Sequence, residues 1–97
     1  MNDLEAYATA QRRVQQLVSR ELMSLLGRAE PPPLGTPFAD IGLDSIMAMT
    51  LRDRLERALN LSLPPTLVFE HPTLRSLTRE LLTRMNKQAS ARPSKTS

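Results

Sequence analysis

The chain has no cysteine, no tryptophan, one tyrosine, two phenylalanines, one histidine and three glycines in 97 residues. Without cysteine there can be no disulfide, no thiolate metal site and no cysteine nucleophile. A single histidine, His71, cannot build a multi-histidine metal centre, so no metal site is expected. No run of about 18 apolar residues occurs, so nothing reads as a membrane span. The opening MNDLEAYATAQRR carries acids and lacks the apolar centre of a signal peptide. These absences point to a cytoplasmic protein with no membrane partner. With so few aromatics the core must be aliphatic. The length suits one small domain, which buries about 60–65% of the surface its unfolded chain exposes.

Acids are outnumbered by bases, for a net charge of +3, which raises nucleic acid as a partner. The basic residues are scattered, however, and three of them lie in the final KQASARPSKTS. A solvated surface with a basic tail accounts for the charge without a phosphate-binding patch. No nucleic-acid partner is expected.

What is present is helical periodicity. Leu4, Tyr7, Val14, Leu17, Val18, Leu22, Leu25 and Leu26 recur at spacings of three and four, predicting a first helix over residues 3 to about 26. Asn2 or Asp3 can cap its start, and Gly27 suits its end. RAEPPPLGTPFADIG then denies helix donors with four prolines and predicts a long loop. Leu34, Phe38 and Ile41 would anchor that loop on the domain. A second helix is expected over 45 to 60, capped by Asp44 and stopped by LSLPPT. TLVFE can form one short turn. A last helix follows, capped by Thr73, with Leu74, Leu77, Leu81 and Leu82 as its stripe. From Asn86 onward the chain turns polar. The expected fold is all-α, a small bundle of three main helices plus one short helix, with the long loop between helices one and two. The expected organisation is a domain over 1–86 and a flexible tail or interdomain linker over 87–97.

At steps of 100° per residue, Ala48, Leu51, Leu55 and Leu59 fall on one arc of the second helix, the core face, with Met47 and Ala58 flanking it. Ile46 and Met49 project to the other side, among Asp53, Glu56 and Arg57. Two readings of them stand at this point: scattered surface apolars, which are common, or a small docking patch. Directly before Ile46 lies the stretch GLDS. Asp44 is explained as a cap, and Ser45 then sits at the mouth of the helix with its hydroxyl outward. A serine nucleophile needs a base and a group to orient that base. The sole histidine lies in another turn, and no G-x-S-x-G elbow exists. Self-contained acyl transfer is therefore not expected, and the chain reads as non-catalytic. A phosphodiester placed on that hydroxyl would instead meet free backbone N–H groups and the positive end of the helix dipole.

FADIGLDSIMAMTLRDRL followed by LSLPPTLVFEHPTLRSL resembles the acyl carrier protein domains of modular (type I) polyketide synthases. The resemblance rests on Phe38, Gly42-Leu43-Asp44-Ser45, Ile46, Leu51-Arg52, Leu63-Pro64, Thr66 and Phe69-Glu70-His71-Pro72-Thr73, and covers residues 38 to about 82. It implies that Ser45 carries a 4′-phosphopantetheine arm, donated by coenzyme A through a phosphopantetheinyl transferase. The arm's thiol would hold growing chains as thioesters and present them to ketosynthase, acyltransferase and other synthase domains. Asp44 would serve recognition as well as capping, and Ile46, Met49 and Asp53 would form the docking face. The isolated domain would be monomeric. Arg52, Arg54 and Arg57 depart from the strongly acidic second helix of free-standing carriers. That suits partners tethered at high local concentration, as in a larger synthase. A peptidyl carrier domain of a nonribosomal peptide synthetase is the alternative, although Gly42-Leu43 favours the polyketide branch. Further alternatives are a small helical interaction module or a nucleic-acid-binding module. The latter would need a recognition helix with a basic stripe, which the mixed charges of helix two do not supply.

Overall fold

The computed structural model describes residues 3–91. Four helices succeed one another: α1, Asp3–Leu26; α2, Ser45–Leu59; the short α3, Leu67–Glu70; and α4, Leu74–Ala91. A 3-10 turn, Phe38–Ile41, interrupts the loop between α1 and α2, and there is no strand among the described residues. α1 packs against both α4 and α2, and α3 packs on α2. The expected all-α bundle of three main helices and one short one is the fold observed.

The core is aliphatic, as the composition requires. Val18 and Leu22 of α1, Leu51 and Leu55 of α2, Leu67 of α3, and Leu77 and Leu81 of α4 are all fully buried, joined by Phe38 and Leu63 from the loops. The expected stripe of α1 holds from Val14 onward but fails in the first turns. Leu4 is 76% exposed and Tyr7 54% exposed. Length explains this. At 1.5 Å per residue, α1 is about 36 Å long and α2 about 22 Å, so the start of α1 overhangs the apolar layer that α2 provides. The capping role considered for Asn2 lies outside the described residues.

The helix ends follow local chemistry. Gly27 adopts φ +66°, and Arg28 N–H reaches back to the Met23 carbonyl at 3.0 Å. This six-residue closure satisfies an orphan carbonyl of the last turn. α2 stops earlier than its following prolines demand. Asn60 takes the left-handed region at φ +54°, and both its own N–H and that of Leu61 turn back to the Glu56 carbonyl. Asparagine tolerates that conformation better than most side chains. At the start of α4, the Thr73 hydroxyl accepts from Ser76 N–H at 3.1 Å, and the Ser76 hydroxyl accepts from Thr73 N–H at 3.1 Å. This is a reciprocal capping box with serine in the place usually held by glutamate.

The long loop is tied down more by backbone than by its side chains. Phe38 is buried and Ile41 partly buried, as expected, but Leu34 is 37% exposed. Leu34 anchors instead through its carbonyl, which accepts from Arg75 N–H at 3.0 Å, one of the amides the first turn of α4 leaves free. Phe38 N–H donates to the Pro72 carbonyl at 2.8 Å, and Pro32 is buried in place of Leu34. α4 runs on to Ala91, past the polar switch at Asn86, because no glycine or proline interrupts NKQASA. Met85 packs partly buried on the core, and Asn86, Lys87 and Gln88 after it are exposed. The rest of the expected tail, residues 92–97, lies outside the described residues.

Candidate attachment site at the start of helix two

Three successive devices deliver Ser45 to the surface. Phe38 and Leu43 are buried on either side of the 3-10 turn, and Leu43 N–H donates to the Phe38 carbonyl at 3.1 Å. Gly42, at φ +104°, closes that turn with an N–H bond to the Ala39 carbonyl at 3.2 Å. A side chain there would be strained by the backbone angle alone. Asp44 then takes an extended conformation, and its Oδ1 accepts from Met47 N–H at 2.8 Å. Its carbonyl accepts the first helical bond from Ala48 N–H at 2.9 Å. Ser45 is the first residue of α2 and is exposed. The buried pair Phe38 and Leu43 fixes where the turn lies, so the serine is presented at a defined place rather than on a free loop.

The surroundings offer no activating base. His71 faces Glu80 of α4, with Nε2 at 3.6 Å from Oε1, and Glu80 in turn accepts from Arg84 Nε at 2.7 Å. Among the described residues the Ser45 hydroxyl bonds to no side chain, and the first two amides of α2, those of Ser45 and Ile46, keep no partner. A capped helix start with two free N–H groups can hold an anion attached at that hydroxyl.

The helical phase inferred from the sequence holds. Ala48, Leu51 and Leu55 are buried, with Leu59 and Met47 partly buried beside them. On the other face Ile46 is 78% exposed and Met49 38%. Asp53 is exposed as well, but it is engaged by Arg52 Nη1. Ala58, expected to flank the core, is exposed.

Two features were not read from the sequence. One is Phe69, 54% exposed on α3. LVFE places three apolar residues in a single turn, and with Leu67 and Val68 buried the third has to face outward. The other is a side-chain clamp on the loop before α3. Arg52 Nε donates to the Leu63 carbonyl at 3.0 Å, while Leu63 N–H donates to Glu56 Oε2 at 2.7 Å. Arg52 Nη2 and Glu56 Oε2 lie 3.4 Å apart. The pair thus satisfies both backbone groups of a buried residue, as a neighbouring strand would. Only the adjacency of Leu51-Arg52 to the proline-rich LSLPP hinted at it.

Residues 12–81 match the family described as "Phosphopantetheine attachment site". Among curated relatives, the pikromycin polyketide synthase component PikAII of Streptomyces venezuelae is 46% identical over 77 residues, and erythronolide synthase EryA3 of Saccharopolyspora erythraea is 41% identical over 73. These matches take in 77% and 65% of this chain but 2% of each relative. Among solved structures, the A1-type ACP domain from module 5 of MLSA1 superposes with a TM-score of 0.71 at 35% identity, over 79% of either chain. The type-II acyl carrier protein BlmI of Streptomyces verticillus shares the fold at a TM-score of 0.76 and 22% identity, over 81% of this chain and 94% of that one.

Proposed function

The chain belongs to the family of phosphopantetheine attachment sites, and from that premise we propose that it is an acyl carrier domain of a modular polyketide synthase with Ser45 as the residue that bears the arm. One observation carries the assignment of the residue: Ser45 is the exposed first residue of a 15-residue helix, directly after a cap that accepts from Met47 N–H. The arm, when attached, supplies the thiol this cysteine-free chain lacks, and with it the thioester chemistry. The chain's own residues do the positioning. Asp44 holds the helix mouth in register. The free amides of Ser45 and Ile46 and the positive helix end stabilise the phosphodiester, an effect worth roughly 0.3–1 kcal/mol at an exposed site. Among the described residues no base stands beside Ser45, so attachment falls to a separate phosphopantetheinyl transferase acting with coenzyme A.

The polyketide branch draws its support from the synthases at 46% and 41% identity. Ketosynthase and acyltransferase domains are then the partners that receive or deliver the acyl group, in a larger synthase of which this domain performs none of the chemistry. Ile46 and Met49 form the docking patch near the arm, with the Arg52–Asp53 pair at its rim. A carrier that meets several partners in turn needs brief contacts, and a patch of two side chains provides them. The test is arm loading of wild type and Ser45→Ala with coenzyme A and a promiscuous transferase, followed by intact mass. Loading is expected to vanish in the variant with far-ultraviolet circular dichroism unchanged. Retained loading in Ser45→Ala would overturn the assignment.

A further inference from the structure

Where α1 runs past the end of α2 it leaves an open groove of about 950 Å³. The floor is apolar: Ala6, Ala10 and Leu17 of α1, Leu59 at the end of α2, and Met85 of α4. Ala10, Leu17, Leu59 and Met85 pack against the core on one side and stay only partly buried. The stop of α2 is the cause. Asn60 takes φ +54° and turns the chain aside, so α2 does not continue along α1.

Length and charge define what fits there. The overhang of about 14 Å takes roughly nine residues of helix, two to three turns, laid in line with α2. An open trough covers too little of a small molecule to hold it, whereas an amphipathic helix needs only one face covered. Ala6 and Ala10 lie one turn apart, and their small side chains let a second helix approach closely. Arg12 and Arg13 also line the groove. Arg52, Arg54 and Arg84 each find a carboxylate, but Arg12 and Arg13 find none among the described residues. Glu5, the one acid of the lining, lies about 10 Å further towards the start of α1. The groove is therefore cationic at the end nearer α2. The chain's own ending, RPSKTS, has two cations and no aliphatic or aromatic residue, so it offers neither the face nor the sign.

We propose that this groove docks a short amphipathic helix of another polypeptide segment, with an aliphatic face for the floor and carboxylates placed to meet Arg12 and Arg13. α2 is about 22 Å long, so the groove lies at the opposite end of that helix from Ser45. A segment held there leaves Ser45, Ile46 and Met49 clear. The domain is then tethered, at a raised local concentration, while its arm is in use. That use rests on the carrier reading; the docking itself does not.

The test is a titration of the ¹⁵N-labelled chain, without its arm, with synthetic helical peptides of about three turns. Each carries leucines on one face; one is flanked by glutamates, one by lysines, and a third is the glutamate peptide in scrambled order. The expected result is a saturable shift of the Ala6, Ala10, Leu17 and Leu59 amides with the ordered glutamate peptide, and little change at Ser45. Arg12→Glu combined with Arg13→Glu, both on exposed side chains, is expected to weaken that peptide about tenfold or more and to strengthen binding of the lysine peptide. Ala6→Glu, at another exposed position, is expected to weaken the glutamate peptide as well, and decides the matter if the double variant folds poorly. Equal binding of the scrambled peptide, shifts centred on Ile46 and Met49, or a charge preference that survives the double arginine change would overturn the proposal. So would self-association that covers the groove without any peptide, since the occupant would then be a second copy.

Discussion

Leu55→Ala is the substitution that most severely tests the placement of α2. Leu55 has no accessible surface and sits at the centre of the buried face, one turn from Leu51. Truncation to alanine loses roughly 0.8 kcal/mol of transfer free energy for each of three carbons. The cavity left behind adds more, for a total of about 2–5 kcal/mol. That is a large share of the 5–15 kcal/mol typical of a domain. At about 4–8 °C per kcal/mol for a chain of this size, the melting temperature should fall by about 8–40 °C. Ile46→Ala is the control on the same helix. Ile46 is 78% exposed, so little burial is lost, and alanine's better helix propensity offsets part of it. A change within about 0.5 kcal/mol is expected, as for most surface positions. Thermal unfolding followed by circular dichroism measures both. Equal losses, or a larger loss for Ile46→Ala, would show that α2 is rotated from the orientation described and that Ile46 belongs to the core.

Three further outcomes are expected. Glu56→Ala removes the acceptor of Leu63 N–H and the partner of Arg52 together, and should cost about 1–3 kcal/mol in denaturant unfolding; a loss near zero would mean that the clamp does not hold the loop. Met49→Glu, measured on carrier already loaded with its arm, should slow acyl transfer with a partner ketosynthase about tenfold, or about 1.4 kcal/mol, without lowering the melting temperature; unchanged transfer in this variant and in Ile46→Glu would reduce the patch to incidental surface apolars. Deleting residues 87–97 removes the last turn of α4, where Lys87 and Gln88 are exposed; arm loading should be unchanged, and a fall of more than about 4–8 °C, the equivalent of 1 kcal/mol, would move the domain boundary outward.

Much of the bundle was legible because its signals are local. The 100° phase of α2 separated Ala48, Leu51 and Leu55 from Ile46 and Met49, and the structure buries the first group and exposes the second. Asp44 and Thr73 act as caps because a short polar side chain before an apolar run has few better options. What escaped depends on where elements end in space. The exposure of Leu4 and Tyr7 follows from the unequal lengths of α1 and α2, which periodicity does not encode. The anchoring of the proline-rich loop rests on main-chain bonds from Arg75 and Phe38, and any residue other than proline could donate them. The Arg52–Glu56 hold on Leu63 joins residues seven and eleven apart around a turn, a geometry that exists only once Asn60 has reversed the chain. For Ser45 the helix mouth was readable from the residues, whereas the arm itself came from a resemblance.

The most direct measurement of the central claim is peptide mapping by tandem mass spectrometry of the wild-type chain after incubation with coenzyme A and a phosphopantetheinyl transferase. The chain offers several other serines, among them Ser19, Ser24, Ser62 and Ser76, which serve as internal controls. The expected result is a single phosphopantetheine on the peptide spanning Asp44–Ser45, assigned to Ser45. Modification of any other serine, or an unmodified chain under conditions that load a known carrier domain, would contradict it.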